Sequence, residues 1–298
     1  CSTAATLMAH TSLGTAPIVI FGTEEQKEKY LPGLASGEKI GAFGLTEPNA
    51  GSDAGNTQTR AVLDGDHYTV NGEKAFCTNA GVSSVLIFTA VIVENGKEKG
   101  ISAFVVKSDT EGISFNPPEK KMGWCASDTR SIFFKDMRIP KSAILGNPKK
   151  GFKQFLQTLT SGRITIGALS IGTAQGAFNR ALAYSQEREA FGKSINRFQG
   201  VSFKLSDMAT QIEASRHLVY YAAWEKDQGL PVIREASMAK LFSSETAMKV
   251  TTEAIQILGG YGYIKEYDVE RFFRDAKILE IGEGTSEIQR MVIARQIL

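Results

Sequence analysis

The sequence predicts a multidomain α+β chain, with helices over 1–36, an antiparallel β domain over 37–148 and a four-helix bundle over 149–298. Three observations carry this reading. The first 35 residues are helical in pattern and contain a capping box. From Ile40 to Ile139, strand-length apolar runs alternate with turn residues, and no helix-length crossover separates them. After Pro140, and again after Pro148, apolar residues recur at steps of three and four over long stretches.

Each element follows from local chemistry. Thr23 and Gln26 have capping-box spacing, so a charged helix should start there and end near Pro32-Gly33. Ser36-Gly37 marks the change of pattern. Strands are expected at 42–45, 67–70, 85–93, 101–106 and 131–134, with turns at Asp64-Gly-Asp66, Asn71-Gly72 and Asn95-Gly96. Strands in this arrangement make an antiparallel barrel or sandwich rather than a parallel sheet. In the bundle, the stripes are Ile171, Ala174, Phe178 and Ala181; Leu205, Met208, Ile212, Ser215, Val219 and Ala222; and Ala247, Val250, Ala254 and Ile257. Gly229-Leu-Pro231 separates the second from the third, Gly259-Gly260 stops the third, and a last helix begins at Thr285 or Ser286.

Composition narrows the function. The 298 residues carry a net charge of +2 without long charged blocks and are 42% apolar, which argues against a nucleic-acid footprint or a membrane-surface role. The longest apolar run, 85–93, is far short of the roughly 20 residues of a spanning helix, so no membrane segment is expected. Cys1, Cys77 and Cys125 lack metal-ligand spacing and read as free thiols of a reducing compartment. His10, His67 and His217 are scattered, against a zinc site. The chain starts at Cys1 without an initiator methionine, and reads as beginning inside a helix of a longer protein.

Glu280-Ile-Gly-Glu-Gly-Thr-Ser-Glu-Ile-Gln-Arg290 is the candidate centre. Glu283 lies between Gly282 and Gly284, so no neighbouring side chain bars close approach to its carboxylate. Ser286 and Gln289 have capping-box spacing ahead of Ile288, Met291 and Val292. The helix dipole there favours a charged carboxylate, whereas burial in an apolar cleft favours the neutral acid. Taken alone, the segment fits a presented acid or a loop glutamate supporting a helix start.

Four further segments are ambiguous one by one. Thr46-Glu-Pro-Asn-Ala-Gly-Ser-Asp53 offers backbone N–H groups and the Thr46 and Ser52 hydroxyls to a planar polar ligand, or is an ordinary turn. Phe76-Cys-Thr-Asn79 is a ligand edge or a cross-strand pair. Arg188-Glu-Ala-Phe-Gly192, with Gln199, presents a phosphate-binding guanidinium or a solvated arginine. A helix C-cap accounts for Gln256-Ile-Leu-Gly-Gly260 without any ligand.

In this order, and over residues 1–298, these segments resemble the acyl-CoA dehydrogenase family, especially its short-chain, butyryl-CoA-like branch; 46–53, 256–260 and 283–290 are the most specific. The resemblance implies an N-terminal helical domain, of which only the last helices are present, a middle β-barrel and a C-terminal four-helix bundle, with FAD and an acyl-CoA substrate held between them. It implies that Glu283 removes the α-proton of the thioester, a weak acid that needs a base of raised pKa. Phe43, Leu45, Thr46, Gly51, Ser52, Phe76 and Thr78 would line the flavin, with Thr78 bonding N5. Arg188, Phe191, Gln199, Gln256, Gly259, Gly260, Thr285 and Glu287 would hold FAD, in part from a neighbouring subunit. Ser52, Thr160, Arg163 and Gly284 would meet the substrate. An electron-transfer flavoprotein as acceptor, a homotetramer, and a bacterial cytoplasm (or a mitochondrial matrix for a eukaryotic source) follow from the same resemblance.

This chain departs from the family pattern at three positions. Phe76 stands where tryptophan is usual, Thr160 where short-chain relatives often have aspartate, and Gly282 where many members have tyrosine. Branches with the base on the first bundle helix carry glutamate just before the equivalent of Arg163; here that residue is Gly162, which excludes them. Two rival functions share the fold: an acyl-CoA oxidase using oxygen, and a non-catalytic CoA- or flavin-binding assembly protein.

Overall fold

A computed structural model describes residues 2–298; Cys1, and the thiol expected there, lies outside the described residues. The chain forms two compact units. One comprises Thr3–Lys121 with Cys125–Leu159, and the other is formed mainly by Thr160–Leu298, with Met122–Trp124.

The first unit opens with α1 (Ser2–Met8), a π-helical stretch (Ala9–Thr15), α2 (Ala16–Phe21) and α3 (Glu24–Ala35). The π stretch is not legible in the sequence. It sits where the Thr11, Ser12 and Thr15 hydroxyls donate to the carbonyls of Leu7, Met8 and His10, competing with the regular ladder. The capping box forms as expected: Gln26 N–H donates to Thr23 Oγ1, and Thr23 N–H to the Gln26 side chain, both at 3.2 Å. Pro32 lies inside α3 and does not end it; the helix continues to Ala35. Thr3–Phe21, with a mean hydropathy of 1.4, is long and apolar enough to cross a membrane, contrary to the sequence expectation; polar residues such as His10, Thr11 and Ser12 break it into short apolar pieces. In this unit Ala5, Met8, Ala9 and Ile18 of that stretch are buried, and Ile18 packs in a core with Tyr30, Leu34, Val85, Ile87 and Phe155.

Among the described residues this unit has eight strands, β1 (Gly41–Gly44), β2 (Arg60–Asp64), β3 (His67–Thr78), β4 (Val85–Glu94), β5 (Lys97–Lys107), β6 (Ile113–Phe115), β7 (Thr129–Pro140) and β8 (Ile144–Leu145). They form one sheet in the order β6-β7-β3-β2-β4-β5-β8, with β1 also paired to β4. Pairing is antiparallel except for β1 and β2, which both run parallel to β4. Strand β4 is apolar from Val85 to Val93 except at the buried Thr89, because both of its faces are covered. Leu86, Phe88, Ala90 and Ile92 enter the core shared with β3, β5 and β7; Val85 and Ile87 face the helices. Asn95 and Gly96, both at positive φ (53° and 70°), make the tight β4–β5 turn. Asn71-Gly72, expected as a turn, instead lies within β3 at a register shift against β7. Strands β2, β6 and β8, of 5, 3 and 2 residues, fall outside the expected strand ranges.

The second unit is helical. It contains α4 (Gly151–Glu187) from Thr160 onward, α5 (Gln199–Asp227), α6 (Ile233–Leu258), α7 (Val269–Ala276) and α8 (Ser286–Ile297). All six expected stripe residues of α5 are buried, as are the four of α6. The short α7 was not anticipated. Its Asp275 is buried and accepts from Trp124 N–H at 2.6 Å, while Arg274 donates to the Met122 carbonyl at 2.9 Å.

Candidate active site

Glu283 follows a 3₁₀ turn (Lys277–Glu280) and precedes α8. The expected Ser286/Gln289 capping box does not form. Thr285 is the N-cap and accepts from Ile288 N–H at 3.3 Å. Gln289 turns back instead, donating to the Glu283 and Gly284 carbonyls at 3.2 and 2.9 Å, and Lys240 Nζ on α6 donates to the Gly284 carbonyl at 2.8 Å. These bonds hold Glu283 at φ 55°, a left-handed conformation that costs a non-glycine residue on the order of 1 kcal/mol.

The turn is fixed through its carbonyls, and the Glu283 side chain is left free of hydrogen bonds. The residue keeps some exposure, but both carboxylate oxygens are buried and neither has a hydrogen-bond partner among the described residues. The carboxylate lies over Gly162 of α4: a β-carbon on Gly162 would fall 1.7 Å from Glu283 Oε2. The absence of a side chain at 162 therefore makes the seat that the acid occupies. Burial pushes the Glu283 carboxyl up to about 7; Lys240 and then Arg163 pull the other way. Burial likewise lowers the Lys240 ammonium to about 8, against the attraction of Glu283. Arg163 is buried, its Nη1 donates to Ser237 Oγ at 3.3 Å, and its Nε has no partner among the described residues. A carboxyl titrating near neutrality, with unused oxygens, is a competent general base for a weak carbon acid.

Two members of this site were missed in the sequence, Lys240 and Gln289. Extending the α6 stripe backwards from Ala247 by fours and threes reaches Ser243, Lys240 and Ala236, all buried. A lysine on that stripe is the available signal. For Gln289 the capping-box spacing points to the wrong partner.

The first unit brings together two of the expected flavin segments. Glu47 and Lys74 form a buried ion pair at 2.7 Å. Glu47 also accepts from Gln58 N–H (2.6 Å), Thr59 N–H (3.1 Å) and Thr59 Oγ1 (2.6 Å). Burial alone would raise the Glu47 carboxyl, but the Lys74 charge and these bonds hold it below the usual range. Lys74 Nζ reaches the Leu45 carbonyl at 3.3 Å, and Ala75 N–H donates to the Thr46 carbonyl at 2.8 Å, so the Thr46 loop is stitched to the end of β3. There a register shift between Lys74 and Cys77 puts Phe76 at φ 56° with its ring 68% exposed. Thr78 pairs with Thr129 and is half-buried, and Gly51 and Ser52 are exposed. Phe43 stacks on Phe155 (centroids 4.2 Å), and Leu45 packs beside that core.

In the second unit, Arg188 shares a cleft of about 490 Å³ with Gly259, Gly260, Tyr184, Tyr261 and Ile264. Its guanidinium stands 5.9 Å from the Tyr261 ring centroid and has no ion pair among the described residues. An open cleft with an uncompensated guanidinium beside two glycines fits the pyrophosphate of a dinucleotide. Gln199 at the start of α5, Gln256 near the end of α6, Phe191 (96% exposed) and Glu287 are all exposed; Thr285 is half-buried. Thr160 lies on α4, two residues before Gly162.

Family models for the acyl-CoA dehydrogenase N-terminal, middle and C-terminal domains match residues 1–38, 42–137 and 149–298. The probable acyl-CoA dehydrogenase YngJ of Bacillus subtilis is 54% identical over 100% of this chain and 78% of its own. A short-chain specific acyl-CoA dehydrogenase of Clostridium acetobutylicum is 51% identical over 99% and 78%. Among solved structures, a chain from work on the electron transferring flavoprotein of Acidaminococcus fermentans aligns with TM-score 0.97 and 48% identity, over 100% of this chain and 78% of that one. Butyryl-CoA dehydrogenase from Megasphaera elsdenii gives 0.96 and 48%, over 99% and 78%. An acyl-CoA dehydrogenase complexed with FAD from Bacillus anthracis gives 0.95 and 38%, over 99% and 53%.

Proposed function

Because the chain belongs to the acyl-CoA dehydrogenase family, we propose that it oxidises a short-chain acyl-CoA to the trans-2-enoyl-CoA, with Glu283 as the base that removes the α-proton. The observation that carries the assignment of the base is the buried carboxylate with two unpartnered oxygens over Gly162. Such a group has no structural duty to its oxygens, and its near-neutral titration matches proton abstraction at physiological pH. FAD, when bound, supplies the hydride acceptor at flavin N5 and the route for electrons to an electron-transfer flavoprotein.

The chain's own residues have separate tasks in this reading. Glu283 receives the proton on a carboxylate oxygen, and its backbone N–H is a donor for the thioester oxygen as negative charge develops there. Gly162 keeps the seat open, and Arg163 with Lys240 supplies positive charge beside it. Thr46, Ser52, Phe76 and Thr78 would contact the flavin ring, and Arg188 with Gln256, Gly259 and Gly260 would hold the dinucleotide phosphates, in part for a neighbouring subunit. Thr160 and Arg163 meet the CoA thioester. The short-chain relatives from Clostridium and Megasphaera support the substrate class, the FAD-bound Bacillus structure supports the cofactor, and the Acidaminococcus structure supports the acceptor. A homotetramer in a bacterial cytoplasm completes the proposal.

The test is anaerobic mixing of the FAD-loaded full-length protein with butyryl-CoA, comparing Glu283→Gln with the parent. Loss of flavin bleaching in the variant is expected. Bleaching at the parental rate would remove Glu283 from the role of base.

A further inference from the structure

We propose that Lys240 is the positioning residue for Glu283: its buried ammonium holds the Gly284 carbonyl and keeps a positive charge against the carboxylate that takes the substrate proton. The inference rests on the role of Glu283 proposed above.

The argument starts from what Lys240 displaces. The side chain is 0% exposed on the inner stripe of α6, where an apolar residue would bury without the desolvation cost of a charge. Its bond to the Gly284 carbonyl is not the sole restraint on that turn, because Gln289 already donates to the same carbonyl at 2.9 Å. A neutral amide therefore suffices to anchor the backbone. What the lysine adds beyond that anchor is charge.

The neighbouring charges show where that charge acts. Glu283, Glu280, Arg163 and Glu245 are the groups that act on Lys240, from the α8 approach, the 3₁₀ turn, α4 and α6. Glu280 is bonded to Lys277 and Glu245 to Arg290, each at 2.6 Å. Arg163 bonds Ser237. Glu283 is thus the carboxylate of this group without a partner of its own among the described residues. Lys240 holds the turn that presents Glu283 and eases its ionisation without forming the ion pair that would block its oxygens.

The experiment uses the ligand-free full-length protein labelled at glutamate carboxyl carbons, with the Glu283 resonance identified by its loss in Glu283→Gln. In Lys240→Met the Glu283 titration midpoint should rise by about one pH unit or more, and Lys240→Arg should return it most of the way to the parental value. A residue that merely fills the core would leave the midpoint unmoved, and that result overturns the proposal. Should Lys240→Met not fold, the reciprocal measurement decides: in Glu283→Gln the Lys240 ammonium, followed by nitrogen labelling, should lose its proton at lower pH than in the parent. An unmoved ammonium refutes the coupling. In FAD-loaded enzyme the rate of flavin reduction near pH 6 should fall about tenfold for every pH unit by which the Glu283 midpoint rises, with KM little changed. Unmoved titrations with loss of bleaching in Glu283→Gln remove Lys240 alone; parental bleaching removes the base, and the proposal with it.

Discussion

Glu283→Gln should make the helical unit more resistant to unfolding as pH rises. The carboxyl titrates at 4.5 when unfolded and at about 7 in the folded chain, so the folded state binds this proton more tightly. A carboxyl raised in this way stabilises nothing at neutrality. It costs stability progressively between pH 4.5 and 7, and the full penalty stands above that window. The separation corresponds to about 3 kcal/mol, of which about 2 kcal/mol develops between pH 5 and pH 7.5. Glutamine keeps the shape and does not ionise, so the variant escapes this slope. Both tryptophans, Trp124 and Trp224, belong to the helical unit, and their fluorescence in urea therefore reports its unfolding. With FAD removed, the difference in unfolding free energy, variant minus parent, should grow by about 2 kcal/mol from pH 5 to pH 7.5. A difference constant with pH would show that the Glu283 carboxyl is not desolvated, and the argument for its basicity would fail.

Other perturbations test other parts of the structure. Gly162→Ala places a methyl group on the seat of the acid, and should slow flavin reduction by about 100-fold in stopped flow while leaving FAD bound. Lys74→Met strands the Glu47 carboxylate inside the β unit; thermal unfolding should show a loss of about 3–5 kcal/mol. Arg188→Met should weaken FAD retention about 10- to 100-fold in equilibrium dialysis, the equivalent of one charged hydrogen bond. Thr285→Ala removes the N-cap of α8 and should cost about 1 kcal/mol in urea unfolding.

The long elements were legible because each repeats one physical demand. The α5 stripe repeats a small or apolar residue at nearly every turn, and β4 is apolar at nearly every position because both faces are covered. Short pieces gave no such repetition: β8 is two residues paired to Ala103 and Phe104, a partnership set entirely by distant chain. Asn71-Gly72 carried a turn signal that the sheet used for a bulge, since a tight turn and a bulge make similar demands on the backbone. At the site, Glu283 stood out through its flanking glycines. Lys240 did not, because a lysine 43 positions upstream becomes relevant only when α6 is laid against the α8 approach. The partner of Gln289 was not legible because a helix start offers a side-chain amide several carbonyls, and only the fold selects Glu283 and Gly284.

The three residues Met122–Trp124 bear on how this protein can be dissected. They lie far upstream of the bundle in the sequence, yet Asp275 accepts their amide and Gly123 packs against the Arg274–Asp275 backbone. A bundle expressed from residue 149 onward would lack them, leaving the buried Asp275 without that donor. Swapping bundles between related enzymes should accordingly succeed only when the loop from 122 to 124 travels with its helical host. The covalent order of the chain and the inventory of its cooperative pieces do not coincide here.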